Sequence, residues 1–123
     1  RMTPGARLVS FGTRPSKYRA IRTTVDGIAF ASKAEAARYS ELKLLLGAGR
    51  VRNLELQPVF QIVVNGVRVG KYLADFRYEI REGSGWRTVV EDVKGVETAL
   101  YRLKAKLVRA LYGVEIVLVR RGG

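Results

Sequence analysis

A chain of 123 residues is one domain's worth of sequence, long enough to bury a core without disulfides or metal staples. Its 23 Lys and Arg against 11 Asp and Glu leave a net charge of +12, which favours nucleic acid over an anionic membrane as partner; no stretch is apolar enough to span a bilayer. With no Cys and no His, disulfides, thiolate ligands and the commonest general base are excluded, so any catalysis falls to carboxylates, Lys, Tyr or a hard metal ion.

Residues 1–17 hold Arg1, Arg7, Arg14 and Lys17 among Pro and Gly, with no acid. They read as a basic N-terminal arm, either tracking phosphates or simply solvated. Residues 18–123 then make a single folded domain. Tyr18 to Val25, Asp26-Gly27 and Ile28 to Ala31 predict a short hairpin, because Asp-Gly supplies the positive φ angles of a type I′ turn. Ser32 stands three residues before Glu35, the capping-box spacing, and predicts a helix to about Leu46 that stops at Gly47-Ala48-Gly49. On that helix Tyr39, Leu42 and Leu46 fall within roughly 40° of Glu35. Glu35 therefore either closes the capping box or aims over the sheet toward Asp92, and the two roles are compatible.

Leu54 to Val64, the Asn65-Gly66 turn and Val67 to Ile80 predict a second, long hairpin. Glu82-Gly83-Ser84-Gly85 turns the chain into Trp86 to Lys94, completing an antiparallel meander. A helix over Val96 to Tyr112 follows, with Leu100, Leu103, Leu107 and Leu111 as its buried stripe and Arg102, Lys106 and Arg109 on another face. Val114 to Val119 reads as a buried strand. Helices on a mixed central sheet make an α/β or α+β domain.

The chain has three Asp. One makes a turn; Asp75 and Asp92 lie on neighbouring strands of one hairpin, close to cross-strand register. Asp is disfavoured inside a strand, so Asp75 is functional or marks a bulge. Two facing carboxylates repel unless a cation sits between them. In Val89-Val90-Glu91-Asp92-Val93-Lys94-Gly95, alternation puts Asp92 and Lys94 on one face and Glu91 on the other, where a salt bridge is expected. An isolated acid-x-Lys is also what a solvated edge strand with an ion pair looks like. Glu35, Asp75 and Asp92 together could hold one or two Mg²⁺ ions, which take oxygen ligands at about 2.0–2.1 Å. Lys94 beside them could orient a water or stabilise a pentacoordinate phosphorus.

Leu73-Ala74-Asp75-Phe76, a turn, then Asp92-Val93-Lys94-Gly95 resembles the PD-(D/E)xK nuclease superfamily, in which one acid precedes a hairpin and an acid-x-Lys follows on the next strand. Ser32-Lys33-x-Glu35-Ala36-x-Arg38-Tyr39-x-Glu41-Leu42, through Leu56-Gln57-Pro58 to the Asp92 motif and Thr98, resembles a family of small phage endonucleases that resolve Holliday junctions. The likeness covers roughly residues 30–119. It implies a restriction-endonuclease-like fold and Mg²⁺ as cofactor, with Mn²⁺ substituting. Asp75, Asp92, the Val93 carbonyl and Glu35 would be metal ligands, and Lys94 the catalytic lysine. Ala74 stands where the motif has proline, and Asp92 where Glu is commoner and reaches further.

The resemblance further implies branched double-stranded DNA as substrate, a homodimer able to make two symmetric cuts, and the cytoplasm of a bacterial or phage-infected cell. Contacts to DNA are expected from Arg7, Arg14, Lys17, Arg19, Lys33, Thr98, Arg102, Lys104 and Lys106. Two other readings stay open: a nicking, flap or end-processing nuclease of the same superfamily, and a non-catalytic basic DNA-binding module whose acids only make ion pairs.

Overall fold

The computed structural model describes residues 22–94 and 96–120. Residues 1–21, with Arg7, Arg14, Lys17 and Arg19, lie outside them, so the expected basic arm does too. The chain divides into two compact units, one through Ala36 and a larger one from Ala37 on.

In the first unit, β1 (Thr23–Val25) and β2 (Ile28–Phe30) pair antiparallel, with Val25 opposite Ile28. Asp26 and Gly27 hold φ of 54° and 76° between them, the doubly left-handed turn that Asp-Gly tolerates. Helix α1 (Lys33–Gly47) starts here. Its Glu35 N–H donates to Ser32 Oγ at 3.2 Å, as the capping spacing predicts. It ends in the larger unit with Gly49 at φ 76°. There Arg50 N–H donates to Leu45 O at 3.0 Å and Gly49 N–H to Leu46 O at 3.1 Å, a Schellman closure.

The larger unit is built on a mixed four-stranded sheet in the order β3–β6–β7–β8, comprising β3 (Val51–Leu56), β6 (Phe76–Glu82), β7 (Gly85–Lys94) and β8 (Ile116–Arg120). The first three run antiparallel, and β8 returns parallel to β7 through α2 (Ala99–Tyr112). A separate pair, β4 (Val59–Val64) and β5 (Val67–Leu73), turns at Asn65-Gly66 and packs one face against α2. The mixed sheet with two helices is the α+β class expected and is compatible with a restriction-endonuclease-like fold.

The long hairpin is where the expectation needs correcting. Leu54 to Val64 is not one strand, nor is Val67 to Ile80. The break falls at Gln57-Pro58 opposite Ala74-Asp75, bridged by Gln57 N–H donating to Asp75 O at 2.9 Å and Ala74 N–H to Pro58 O at 3.1 Å. Pro58 has no N–H for a ladder, and Gln57 sits at φ 51°, so the strand cannot run straight through. Asp75 consequently lies between β5 and β6 rather than inside a strand, where its poor strand propensity costs nothing.

Helix α2 differs too. It begins at Ala99, not Val96, because the Thr98 hydroxyl caps it by accepting Tyr101 N–H at 3.0 Å. Gly113 at φ 70° ends it. Three of the four leucines expected in the buried stripe face solvent, Leu100, Leu103 and Leu111 at 60%, 55% and 43% exposed, and only Leu107 packs, half-buried, against the core. Tyr101 and Val108 are buried instead, in a core with Phe60, Ile62, Tyr72, Ala74 and Val90. The helix carries a second apolar series, Tyr101, Ala105, Val108 and Tyr112, one residue out of phase. Its buried members are Tyr101 and Val108, which lets Tyr101 meet the Tyr72 ring at 6.3 Å, while Tyr112, still exposed at the end of the helix, meets Phe60 at 5.4 Å. The last strand starts at Ile116 rather than Val114 and is less buried than expected, with Val117 at the surface, because β8 ends the sheet order.

Candidate functional site

Strand β7 carries two acids side by side, Glu91 and Asp92, only 1% and 3% exposed. Alternation turns them to opposite faces of the sheet. On one face Glu91 accepts from Arg38 Nε at 2.7 Å and Arg38 Nη2 at 3.1 Å, and from the Tyr78 hydroxyl. This is the salt bridge expected of Glu91. A buried carboxylate and a forked guanidinium neutralise one another here. The Glu91 contact holds the Arg38 guanidinium well above its usual value, and burial, then Glu91, pushes the Tyr78 hydroxyl up to about 12.

On the other face Asp92 Oδ2 accepts a hydrogen bond from the Tyr72 hydroxyl and lies 3.7 Å from Lys94 Nζ. The Lys94 ammonium in turn sits 4.8 Å from the centre of the Tyr101 ring, within cation–π reach. Among the described residues no hydrogen bond reaches Asp92 Oδ1.

The strand break delivers Asp75 to the same place. Its N–H donates to Glu91 O at 3.1 Å, and its Oδ2 accepts Val93 N–H at 2.7 Å. Asp75 is thus pinned to β7 on either side of Asp92, continuing the register that sets Phe76 opposite Glu91. Burial first, then Asp92 and more weakly Asp75, push the Tyr72 hydroxyl far above its ordinary value. Burial and then Asp92 raise Tyr101. Both acids act on the one hydroxyl.

Asp75, Asp92, Val93 and Lys94 are therefore brought together. Glu35 is half-buried in the first turn of α1 and belongs to the N-terminal unit. No group of three or more acids among the described residues is placed to hold a metal ion; the acids brought together here are two, Asp75 and Asp92. Two suffice for a hard cation that keeps several waters. The donor set is all oxygen, and a buried carboxylate oxygen that accepts no hydrogen bond among the described residues is an atom such a cation satisfies. On that chemistry the residues fit Mg²⁺ or Mn²⁺.

Of the residues expected at DNA, Lys33, Arg102 and Lys106 are exposed and Lys104 is half-buried. Arg102 Nη1 donates to Glu97 O at 3.1 Å, and Thr98 serves as the α2 cap. Elsewhere in this unit, a hollow of about 570 Å³ at the α2–β8 turn, lined by Thr88, Val114 and Ile116 among others, includes none of these acids. No described helix is long and apolar enough to cross a membrane. Sequence reasoning gave no role to Tyr72 or Arg38, the two side chains that hold the acids of β7. The one local signal was a tyrosine three residues before Asp75, in step with Ala74 on the side of the chain that turns inward.

No curated protein and no solved structure matches the chain. A family model described as a protein of unknown function (DUF1064) matches residues 15–120, nearly the whole chain, and the protein accordingly belongs to the DUF1064 family.

Proposed function

We propose that this protein is a divalent-metal-dependent endonuclease acting on branched DNA, in the manner of a phage Holliday junction resolvase. The observation that carries the reading is the pairing of Asp75 with a buried Asp92 whose Oδ1 accepts no hydrogen bond among the described residues, beside an ammonium 3.7 Å from Oδ2. Asp75, Asp92 and the Val93 carbonyl are the groups that would hold a hard cation. Such an ion, when bound, supplies Lewis-acid activation of a phosphodiester and its attacking water. Lys94 Nζ is half-buried, and its place between Asp92 and the Tyr101 ring suits it to orienting a water or stabilising charge on phosphorus. The net charge of +12 supports a polyanionic substrate. Two symmetric cuts require two sites, so the reading includes a twofold homodimer.

The test is a Mg²⁺ titration against end-labelled four-way junctions, flaps and linear duplex. Paired symmetric nicks on the junction are expected. Asp75→Asn and Asp92→Asn should abolish cutting while leaving junction binding within a few-fold. Preference for flaps or ends would change the substrate within the class. The Lys94–Asp92 ion pair is also what a non-catalytic DNA-binding module would contain; binding without cleavage in either Mg²⁺ or Mn²⁺ would establish that reading instead.

A further inference from the structure

We infer that Tyr72 is a positioning residue for the site: its hydroxyl, delivered from β5, clamps Asp92 by Oδ2 and so presents Oδ1 for a divalent cation. This rests on the function proposed above. Strand β7 offers its own comparison, since its two adjacent buried acids each accept a tyrosine hydroxyl, Tyr78 for Glu91 and Tyr72 for Asp92. Their other partners differ. Both oxygens of Glu91 are taken by Arg38 at 2.7 and 3.1 Å, leaving nothing to offer a ligand. Asp92 keeps one oxygen that accepts no hydrogen bond among the described residues, and besides the tyrosine its other oxygen has an ammonium at 3.7 Å. The same bond is therefore structural on one face and presents a ligand on the other.

The clamp is independent of the strand it holds. Tyr72 is buried, with its ring 6.4 Å from Phe60 and 6.3 Å from Tyr101, so packing fixes the hydroxyl whether or not Asp92 is charged. Without that hydroxyl the carboxylate is free to turn toward Lys94, and the cation loses a preset ligand. Outer partners of this kind typically change metal affinity about ten- to a hundredfold.

The experiment compares full-length wild type, Tyr72→Phe and Tyr78→Phe in the absence of DNA. Mg²⁺ or Mn²⁺ affinity is read by calorimetric titration, and folding by thermal melting without cation. Tyr72→Phe should weaken cation binding about ten- to a hundredfold, while Tyr78→Phe melts earlier but binds the cation within about twofold of wild type. Unchanged affinity in Tyr72→Phe, or equal weakening in both, overturns the inference. Wild type that binds no divalent cation overturns the nuclease reading itself. Should Tyr72→Phe fail to fold, tyrosine ring-carbon NMR of wild type decides: saturating Mg²⁺ should move the Tyr72 resonance and not that of Tyr78. A Tyr72 signal that stays put overturns the clamp.

Discussion

Replacing Arg38 with Ala isolates what the Glu91 pair contributes. Glu91 is 1% exposed and accepts two charge-assisted bonds from Arg38, at 2.7 and 3.1 Å. After the change it keeps only the Tyr78 hydroxyl. Leaving a buried charge without its partner costs about 3–5 kcal/mol. Arg38 is itself 21% exposed, and the tyrosine bond survives, so the lower end applies, about 3 kcal/mol. In a domain of this size that is a fall in Tm of roughly 12 °C. Adding Glu91→Gln removes the stranded charge and should recover a large part of the loss, since contacting residues are not additive. Thermal and urea melts can be followed through Trp86, the chain's single tryptophan, whose ring centre lies 4.2 Å from the Arg52 guanidinium carbon. If Arg38→Ala melts within about 2 °C of wild type, or the double variant loses the full sum of the singles, the pair is not the anchor described here.

Other outcomes follow from the same geometry. Val108→Ala, at a fully buried site, should cost about 2 kcal/mol from lost burial and the cavity left behind. Leu103→Gln on the exposed face should change stability by less than about 0.5 kcal/mol; urea midpoints giving the reverse ranking would return the leucine stripe to the core. Tyr78 is neutral when protonated, and its pKa rises in the fold from 10.0 to about 12. Its contribution is therefore complete below pH 10 and lost as the pH climbs to 12. Urea melts across that window should show a shallower decline for Tyr78→Phe than for wild type, and parallel declines would contradict the assignment. Pairwise neutralisation of Lys33 and Lys106 should weaken junction binding and flatten its dependence on salt; an unchanged salt slope in filter binding would remove these two from the DNA contact.

The acids of the candidate site are legible as a pair in the sequence, because a short Gly-rich turn sets the register of the two segments it joins. Asp75 and Asp92 straddle Gly83-Ser84, and the pairing of Glu82 with Gly85 carries them together. Their setting was not legible. Tyr72 reaches Asp92 across 20 residues and Arg38 reaches Glu91 across 53, contacts that no local pattern encodes. Pro58 stood in the sequence as a warning of the strand break, but alternation on either side of it reads through unless the missing N–H is counted.

Local chemistry thus decided the turns and caps from the residues alone: Asp26-Gly27 and Asn65-Gly66 adopt left-handed angles with little strain, and Ser32 satisfies an amide that a helix start always leaves open. Packing decided which side of α2 is buried. That helix carries two apolar series about 100° apart, and one turn of sequence cannot choose between them. The choice fell to Tyr101 and Val108 because the β4–β5 hairpin presents Phe60, Ile62 and Tyr72 to them, and that surface exists only once residues far apart in the chain have come together.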